Sequence, residues 1–556
     1  MGLSREQYAA LYGPTVGDRV RLGDTDLVAT VDADDNRPGS EPLVGMGKTV
    51  RPGQLMDTGA AVEDALDICL TNVLMLDPVL GVRKTSIGIR NGRIAAIGRA
   101  GDPASDADVA VPISAATGVI PAEGLIATPG AIDSHVHLIG PQLVPAALAG
   151  GTTTFAAMSY SGAFDVGINP RANLDAVLAA WASVPLNLIP IARASTADAT
   201  FLDDLIALGA GALKVHEDLG ASPTVLGAAL DAAERHDVQV ALHADGLGES
   251  ATLEETLAAI DGRAVHAYHV EGCGGGPVNL LESVAHEHVL PSSTTPTVPF
   301  GINAVDEQAT MIATVHRLSP LFPNDARAAG GRIRSWTMAA ESVLHDLGAI
   351  SVITSDSMGM GRVGEVTRRT WQLAHVMQNA RVPGAPEGND RILRYLAKIT
   401  INPALVHGVA HDVGSLEPGK LADVVIWRPA FFGAKPQLVL KAGFPVWGPL
   451  GSGSGSTRLG EPIVQGGLWG SVGAAPSRLS TVFVAKGARA AVASRWQGQV
   501  GAVRATRSVR KRDLVANGAT PAVVVDGERR EVRIDGTPAT LAPVRDLPLN
   551  RAYFLA

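Results

Sequence analysis

The chain has 14 histidines, and several stand where a short apolar run ends. His135 and His137 close the run LIATPGAIDSHVHL (125–138) at a spacing of two, so on a strand both imidazoles face the same way. Taken alone, an H-x-H reads first as two polar residues at a strand tip. Lys214, His216 and Asp218 share one face of GALKVHED (211–218) by the same alternation. His243 ends VQVALHAD (238–245), His269 ends the strand within RAVHAYHVEG (263–272), and Asp356 ends AISVITSDS (349–357). A lysine buried on such a strand must lose its charge or find partners. Together, His135, His137, Lys214, His243, His269 and Asp356 are nitrogen and oxygen donors suited to a metal site. An ammonium cannot coordinate a metal. A neutral amine that has taken up CO2 is a carbamate, whose two oxygens could bridge two divalent ions. Two ions about 3.5–4 Å apart activate water and polarise a carbonyl together. The set therefore points to hydrolysis of an amide-like carbon. Donor types alone leave the element open, because zinc, iron or manganese accept similar ligands.

Such donors must be brought together by strands. From about Leu125 the sequence alternates short apolar runs with Ala-rich helical stretches, for example GTTTFAAM (151–158), then ANLDAVLAAWASV (172–184), then PLNLIPIA (185–192). HVLPSST (288–294) and AISVITSDS complete eight candidate strands. Alternation predicts a parallel sheet, and eight units predict a closed (β/α)8 barrel with its site at the C-terminal strand ends. The competing open doubly wound sheet lacks a G-x-G-x-x-G after an early strand. Residues 1–130 read as mostly strand and turn, with a hairpin at Asn91-Gly92. The predicted organisation is an α/β protein. Segment 1–130 and 420–480 build a mainly-β domain, 131–400 the barrel with a flap at about 301–335, and 401–556 a β-rich end. GSGSGS (451–456) reads as a flexible loop. The basic run VRATRSVRKRD (503–513) reads as a solvated face.

Composition excludes other classes. At 46% hydrophobic and 18% charged residues the chain can bury a large core. A net charge of -9 disfavours nucleic acid and anionic membrane as partners. Cys69 and Cys273 are the only cysteines, too few for a disulfide scaffold or a cysteine-based zinc site. The opening MGLSREQYAALYGP shows no secretory h-region, and no run has the length and apolarity of a membrane span. The expectation is a cytoplasmic protein.

Longer motifs are more specific. YGPTVGDRVRLGDTDL (12–27), AIDSHVH (131–137), KVHED (214–218), LPSSTTPTVPF (290–300), AAESVLHDLGAISVITSDSMGMGRVGEV (339–366), TINPALVHGVAHDVGSLEPGKLADVVIW (400–427), RPAFFGAKPQLVLK (428–441) and the closing YFLA (553–556) resemble the urease alpha subunits, a family of the amidohydrolase superfamily, nearly end to end. The resemblance implies hydrolysis of urea to ammonia and carbamate at two Ni2+ per chain. It implies His135, His137 and Asp356 on one nickel, His243 and His269 on the other, and Lys214 bridging as N6-carboxylysine. It further implies that His216 hydrogen-bonds the substrate carbonyl and that His316, in ATVHRL, is the flap general acid. Asp218 would orient His316, and Arg332 would be the active-site arginine. Implied partners are beta and gamma subunits or a fused small subunit, in a trimer of heteromers, and accessory proteins delivering nickel and CO2.

Departures from the family pattern fall around the pocket. Val315 replaces the cysteine usual before the flap histidine, and Arg317 replaces the histidine usual after it. A Gly-rich segment is replaced by FAAMSYSGAFDVGINP (155–170), and the stretch 274–279, with Pro277 where the family has histidine, is apparently one residue shorter. They bear on substrate range and rate. Two other readings remain: a binuclear amidohydrolase of the hydantoinase or dihydropyrimidinase kind, and a catalytically silent relative. His236, His286, His288, His345, His375, His407 and His411 are expected to cap, pack or lie on the surface.

Overall fold

A computed structural model describes residues 2–43, 56–57, 59–159, 171–216, 221–244, 251–272, 276–319, 321–450 and 464–550. The GSGSGS stretch and most of 155–170 fall outside them.

Two sheets organise the chain. The first has ten strands and joins the N-terminal region to the stretch 424–467. Ile68–Asp77, Gly81–Arg90 and Arg93–Gly98 form an antiparallel meander. Asn91 (φ 52°) and Gly92 (φ 76°) make the tight turn that an Asn-Gly pair favours. Val424–Trp427, Leu438–Lys441, Phe444–Leu450 and Val464–Gly467 extend the same sheet from the far side. The junction is Ile126–Pro129, antiparallel to Val424–Trp427 and parallel to Ile68–Asp77. Leu70, Val73, Ile87, Ile426 and Leu440 fill the core beneath.

The run 125–138, a single strand by periodicity, is two strands. Pro129 ends the first, and Gly130 turns the chain into the barrel. A Cβ at Gly130 would lie 2.1 Å from Thr153 Oγ1, so glycine here leaves room for the buried Thr153 side chain. The second sheet also has ten strands, and eight of them run parallel in sequence order: Ala131–Leu138, Thr152–Ser159, Asn187–Arg193, Ala212–Val215, Gln239–His243, Val265–Tyr268, Val289–Thr294 and Val352–Thr354. Thr481–Val484 pairs with the third of these, and Gln499–Ala502 pairs with Thr481–Val484. A bridge between Val136 and Ser357 draws the eighth strand to the first. Ser357 N donates to His135 O (3.2 Å), and His137 N donates to Ser357 O (3.0 Å). The ring is thus drawn together at its C-terminal rim, beside His135 and His137.

Amphipathic helices cover the barrel. Pro223–His236 shows why they form. Ser222 caps the N-terminus by accepting from Val225 N, Pro223 occupies the first turn, and Leu226, Ala229, Leu230 and Ala233 line the buried face. Between the seventh and eighth strands lie three helices, Ala304–Val315, Pro323–Gly331 and Ser335–Asp346.

The largely β segment 1–130 opens on a helix, Arg5–Tyr12, started by a capping box between Ser4 and Gln7. A further expectation needs correction. The basic run 503–513 is only partly solvated. Lys511 is fully buried, and its Nζ donates to Val284 O (2.6 Å) and Ala349 O (2.8 Å). Val503, Thr506 and Val509 are buried too, whereas Arg504 and Arg512 face solvent. The run is a strap across the barrel. Among the described residues no helix is long and apolar enough to cross a membrane.

Candidate metal centre

Each donor owes its place to the end of a barrel strand. His135 and His137 lie on the first strand, and both send Nε2 toward the same atom, Asp356 Oδ1, at 3.2 and 3.3 Å. Asp356 lies two residues past the eighth strand with φ at 55°, a left-handed conformation that aspartate tolerates better than most side chains. Glycine frames it. A Cβ at Gly361 would sit 1.8 Å from Ser355 O, and one at Gly359 would sit 2.5 Å from Asp356 Oδ1. His269 follows the sixth strand with φ at 35°, a strained value for histidine. His243 ends the fifth strand, and His216 lies one residue beyond the fourth.

The rings form a continuous arc. His216 and His243 are 4.0 Å apart between centroids, His243 and His269 4.0 Å, His269 and His135 5.6 Å, and His135 and His137 5.5 Å. Lys214 is fully buried on the fourth strand, with Nζ 3.7 Å from the centroid of the Tyr268 ring. Asp218 lies outside the described residues.

The electrostatics suit cation ligands. Burial, with the nearby charge of Lys214 and the other histidines, holds the His135 pKa well below the usual imidazole value. His216 is only partly covered at the barrel mouth, yet burial and then His243 and Lys214 push it down likewise. Burial alone would raise Asp356, but its hydrogen bond with His137 and the charges of His137, His269 and His243 hold its pKa below the ordinary carboxylate value. His135, its pKa held low, and the ionised carboxylate of Asp356 offer lone pairs suited to a cation between them. Nitrogen or oxygen atoms of His135, His137 and Asp356 lie within 4.8 Å of one another, all buried. His135 Nδ1 has no hydrogen-bond partner among the described residues. The donor set therefore fits a divalent metal.

His316 and Arg332 lie at the ends of two helices between the seventh and eighth strands. His316 ends Ala304–Val315, Arg332 ends Pro323–Gly331, and Arg332 Nη1 is 3.1 Å from His316 Nε2. Val315 packs with Ile312, Ala329 and Met360, which accounts for an aliphatic residue there, and Arg317 is exposed with φ at 52°.

Sequence reasoning passed over two residues. Tyr268 stacks on His135, with centroids 3.9 Å apart at 13° and with Oη donating to Ser134 O (2.5 Å). Its alternation with His266 was the available signal. Asp133 accepts from His135 N (3.3 Å) and Ser355 N (3.0 Å), tying the first strand to the loop that carries Asp356. Burial raises its pKa to about 7.

Known proteins place this arrangement in a family. The model of the urease alpha-subunit N-terminal domain matches residues 1–120, and that of the amidohydrolase family matches residues 126–445. Urease subunit alpha 1 of Streptomyces avermitilis is 49% identical over 554 residues, and urease subunit alpha 2 of Streptomyces coelicolor 48% over 552, each match covering 99% of both chains. Urease subunit alpha of Natronomonas pharaonis is 45% identical, covering 100% of this chain and 99% of its own. With a shared N-terminal domain, a shared barrel and close to half of all positions identical from end to end, the chain belongs to the urease alpha-subunit family of the amidohydrolases.

Proposed function

We propose that the chain is the catalytic subunit of a urease, hydrolysing urea to ammonia and carbamate at a dinuclear nickel centre. The observation that carries this reading is the arc of donors at one barrel rim, where His135 and His137 both approach Asp356 Oδ1 and the three side chains are buried within ligating reach of one another. His135, His137 and Asp356 would hold one ion, His243 and His269 the other. Lys214, buried among them, would bridge as N6-carboxylysine. When bound, the metal pair supplies Lewis-acid polarisation of the carbonyl and an activated water at neutral pH.

The chain's own groups do the rest. His216, held neutral, keeps one ring N–H to donate to the carbonyl oxygen of urea. His316 delivers a proton to the departing nitrogen, which would otherwise leave as an amide anion. Arg332 donates to His316 Nε2, so the proton of a neutral His316 sits on Nδ1. The flap helices bring this acid to the site and exclude bulk water as they close. Asp218 would orient His316. In the cell, smaller beta and gamma subunits, or one fused small subunit, would complete a trimer of heteromers in the cytoplasm. Accessory proteins would load nickel and CO2.

The test is expression beside the genes for these partners, followed by metal analysis and turnover. Two nickel ions per chain and ammonia released from urea are expected, with both lost on chelation. Bound metal without urea hydrolysis, or ring-opening of hydantoin in its place, would overturn the reading.

A further inference from the structure

A polar cavity of about 590 Å³ opens at the end of the barrel opposite the metal donors. Its position follows from its walls. Arg504 N donates to Gly408 O, and the next two residues donate their backbone N–H groups to Asp237, just before the fifth strand begins. The cavity therefore flanks the N-terminal strand ends, whereas the metal donors stand at the C-terminal ends.

Three distant segments converge there. Arg93 comes from the β domain. His411 and Asp412 follow the helix Ile401–Val406, and Arg489 and Arg504 flank the strand Gln499–Ala502. Three guanidinium groups thus face one carboxylate, in a chain whose net charge is -9. Asp412 is already engaged, its Oδ1 2.7 Å from Arg93 Nη1. Arg489 Nε donates to Val500 O (3.0 Å), which fixes the plane of the fork and leaves its two terminal nitrogens for another acceptor. The Arg504 side chain has no hydrogen-bond or carboxylate partner among the described residues, and it is exposed. A positive field is felt inside. Burial lowers the His411 pKa, and Arg504, Arg93 and Lys420 add to the lowering against the pull of Asp412.

Surface arginines ordinarily find carboxylates or spread apart. Here two are left unmatched around one concavity, and guanidinium forks match phosphate oxygens in pairs. The volume exceeds that of a bare anion and lies within the usual range of about 300–1,000 Å³ for small-molecule sites. We propose that this cleft binds a phosphate group, either free phosphate or the terminal phosphate of a small ester, through Arg489 and Arg504 with Arg93 at the rim.

The full chain, kept in chelator so that no bound cation competes for the anion, is titrated calorimetrically at constant ionic strength. The titrants are inorganic phosphate, a sugar phosphate and succinate, and chloride is the balancing salt. Saturable phosphate binding is expected, at least tenfold weaker in Arg504→Gln and lost in the double variant with Arg489→Gln. Arg19→Gln, an exposed arginine elsewhere, should bind as the parent does. Tighter binding of the sugar phosphate than of free phosphate assigns an ester, and the reverse assigns the free anion. Heats no larger than chloride gives, unchanged affinity in the double variant, or succinate binding more tightly than both phosphates would each overturn the proposal. All three substitutions are at exposed side chains, and equal melting temperatures show that the variants fold. Because no metal is present, failure here leaves the urea reading untouched.

Discussion

The imidazole of His135 lies flat on the ring of Tyr268, with centroids 3.9 Å apart and planes 13° apart. The same ring carries Lys214 Nζ at 3.7 Å from its centroid, so one aromatic plate supports two members of the metal centre. Its hydroxyl in turn ties the sixth strand to Ser134 of the first. Tyr268→Phe keeps the plate and loses only the donor to Ser134 O, a buried carbonyl whose unpaired cost is about 1–3 kcal/mol. The Phe variant should therefore melt earlier yet hold metal normally. Tyr268→Leu removes the plate. Metal per chain, measured after loading with nickel and bicarbonate, should fall well below that of the Phe variant. Equal metal content in the two variants would show that the stack does not position the ligands.

His316 and Arg332 meet at 3.1 Å where the helices Ala304–Val315 and Pro323–Gly331 end. His316→Ala should lower urea turnover by roughly 10²–10⁴-fold, the usual worth of a positioned acid. Metal content should stay at the parent level, because no metal donor is touched. Full turnover with both ions bound would remove His316 from the acid role. Arg332→Lys keeps the charge but not the planar fork, and should show an intermediate loss.

How far the sequence was readable depends on the range of each interaction. Donors at strand ends were legible because a parallel barrel turns every strand tip toward one rim, so His135, His137, His243, His269 and Asp356 needed only local patterns. Asp356 and His269 themselves lie just past their strands, since both take left-handed backbone that periodicity does not report. Nothing in its spacing set Tyr268 apart, because an aromatic on a strand ordinarily packs in the core. Lys511 looked solvated because its acceptors, Val284 O and Ala349 O, lie 227 and 162 residues away. Nothing in spacing singles out His316; only the family resemblance brought it into view.

Gly361 controls the loop that presents Asp356. Any Cβ there would overlap Ser355 O at 1.8 Å, so Gly361→Ala must move the backbone beside the ligand. Reduced metal affinity and reduced thermal stability are expected together. Gly330→Ala is the matched control, because a Cβ at this helical position meets nothing within 4 Å. It should be neutral or gain up to about 1 kcal/mol from helix propensity. A Gly361→Ala protein with unchanged metal affinity would show that the loop relaxes without disturbing Asp356.

His407 is fully buried, and its Nε2 lies 3.1 Å from Nδ1 of His266, also fully buried. Burial pushes the His407 pKa down to about 3, and burial with the charges of His407 and Lys214 lowers His266 as well. An unfolded histidine titrates near 6.5. Between about pH 6.5 and pH 3 the unfolded chain therefore binds a proton at His407 that the folded chain refuses. More protons in the unfolded state mean that stability rises with pH, by about 1.4 kcal/mol per unit for one such group. The stabilisation is present above pH 6.5 and is lost as the solution is acidified through that window. Melting temperature should fall steadily from pH 7 to pH 4, measured by heat rather than with urea, the proposed substrate. His407→Gln cannot titrate. Whatever its melting point at pH 7, its decline with acid should be shallower than that of the parent. Parallel pH profiles for the two proteins would show that this buried pair does not set the acid sensitivity of the barrel.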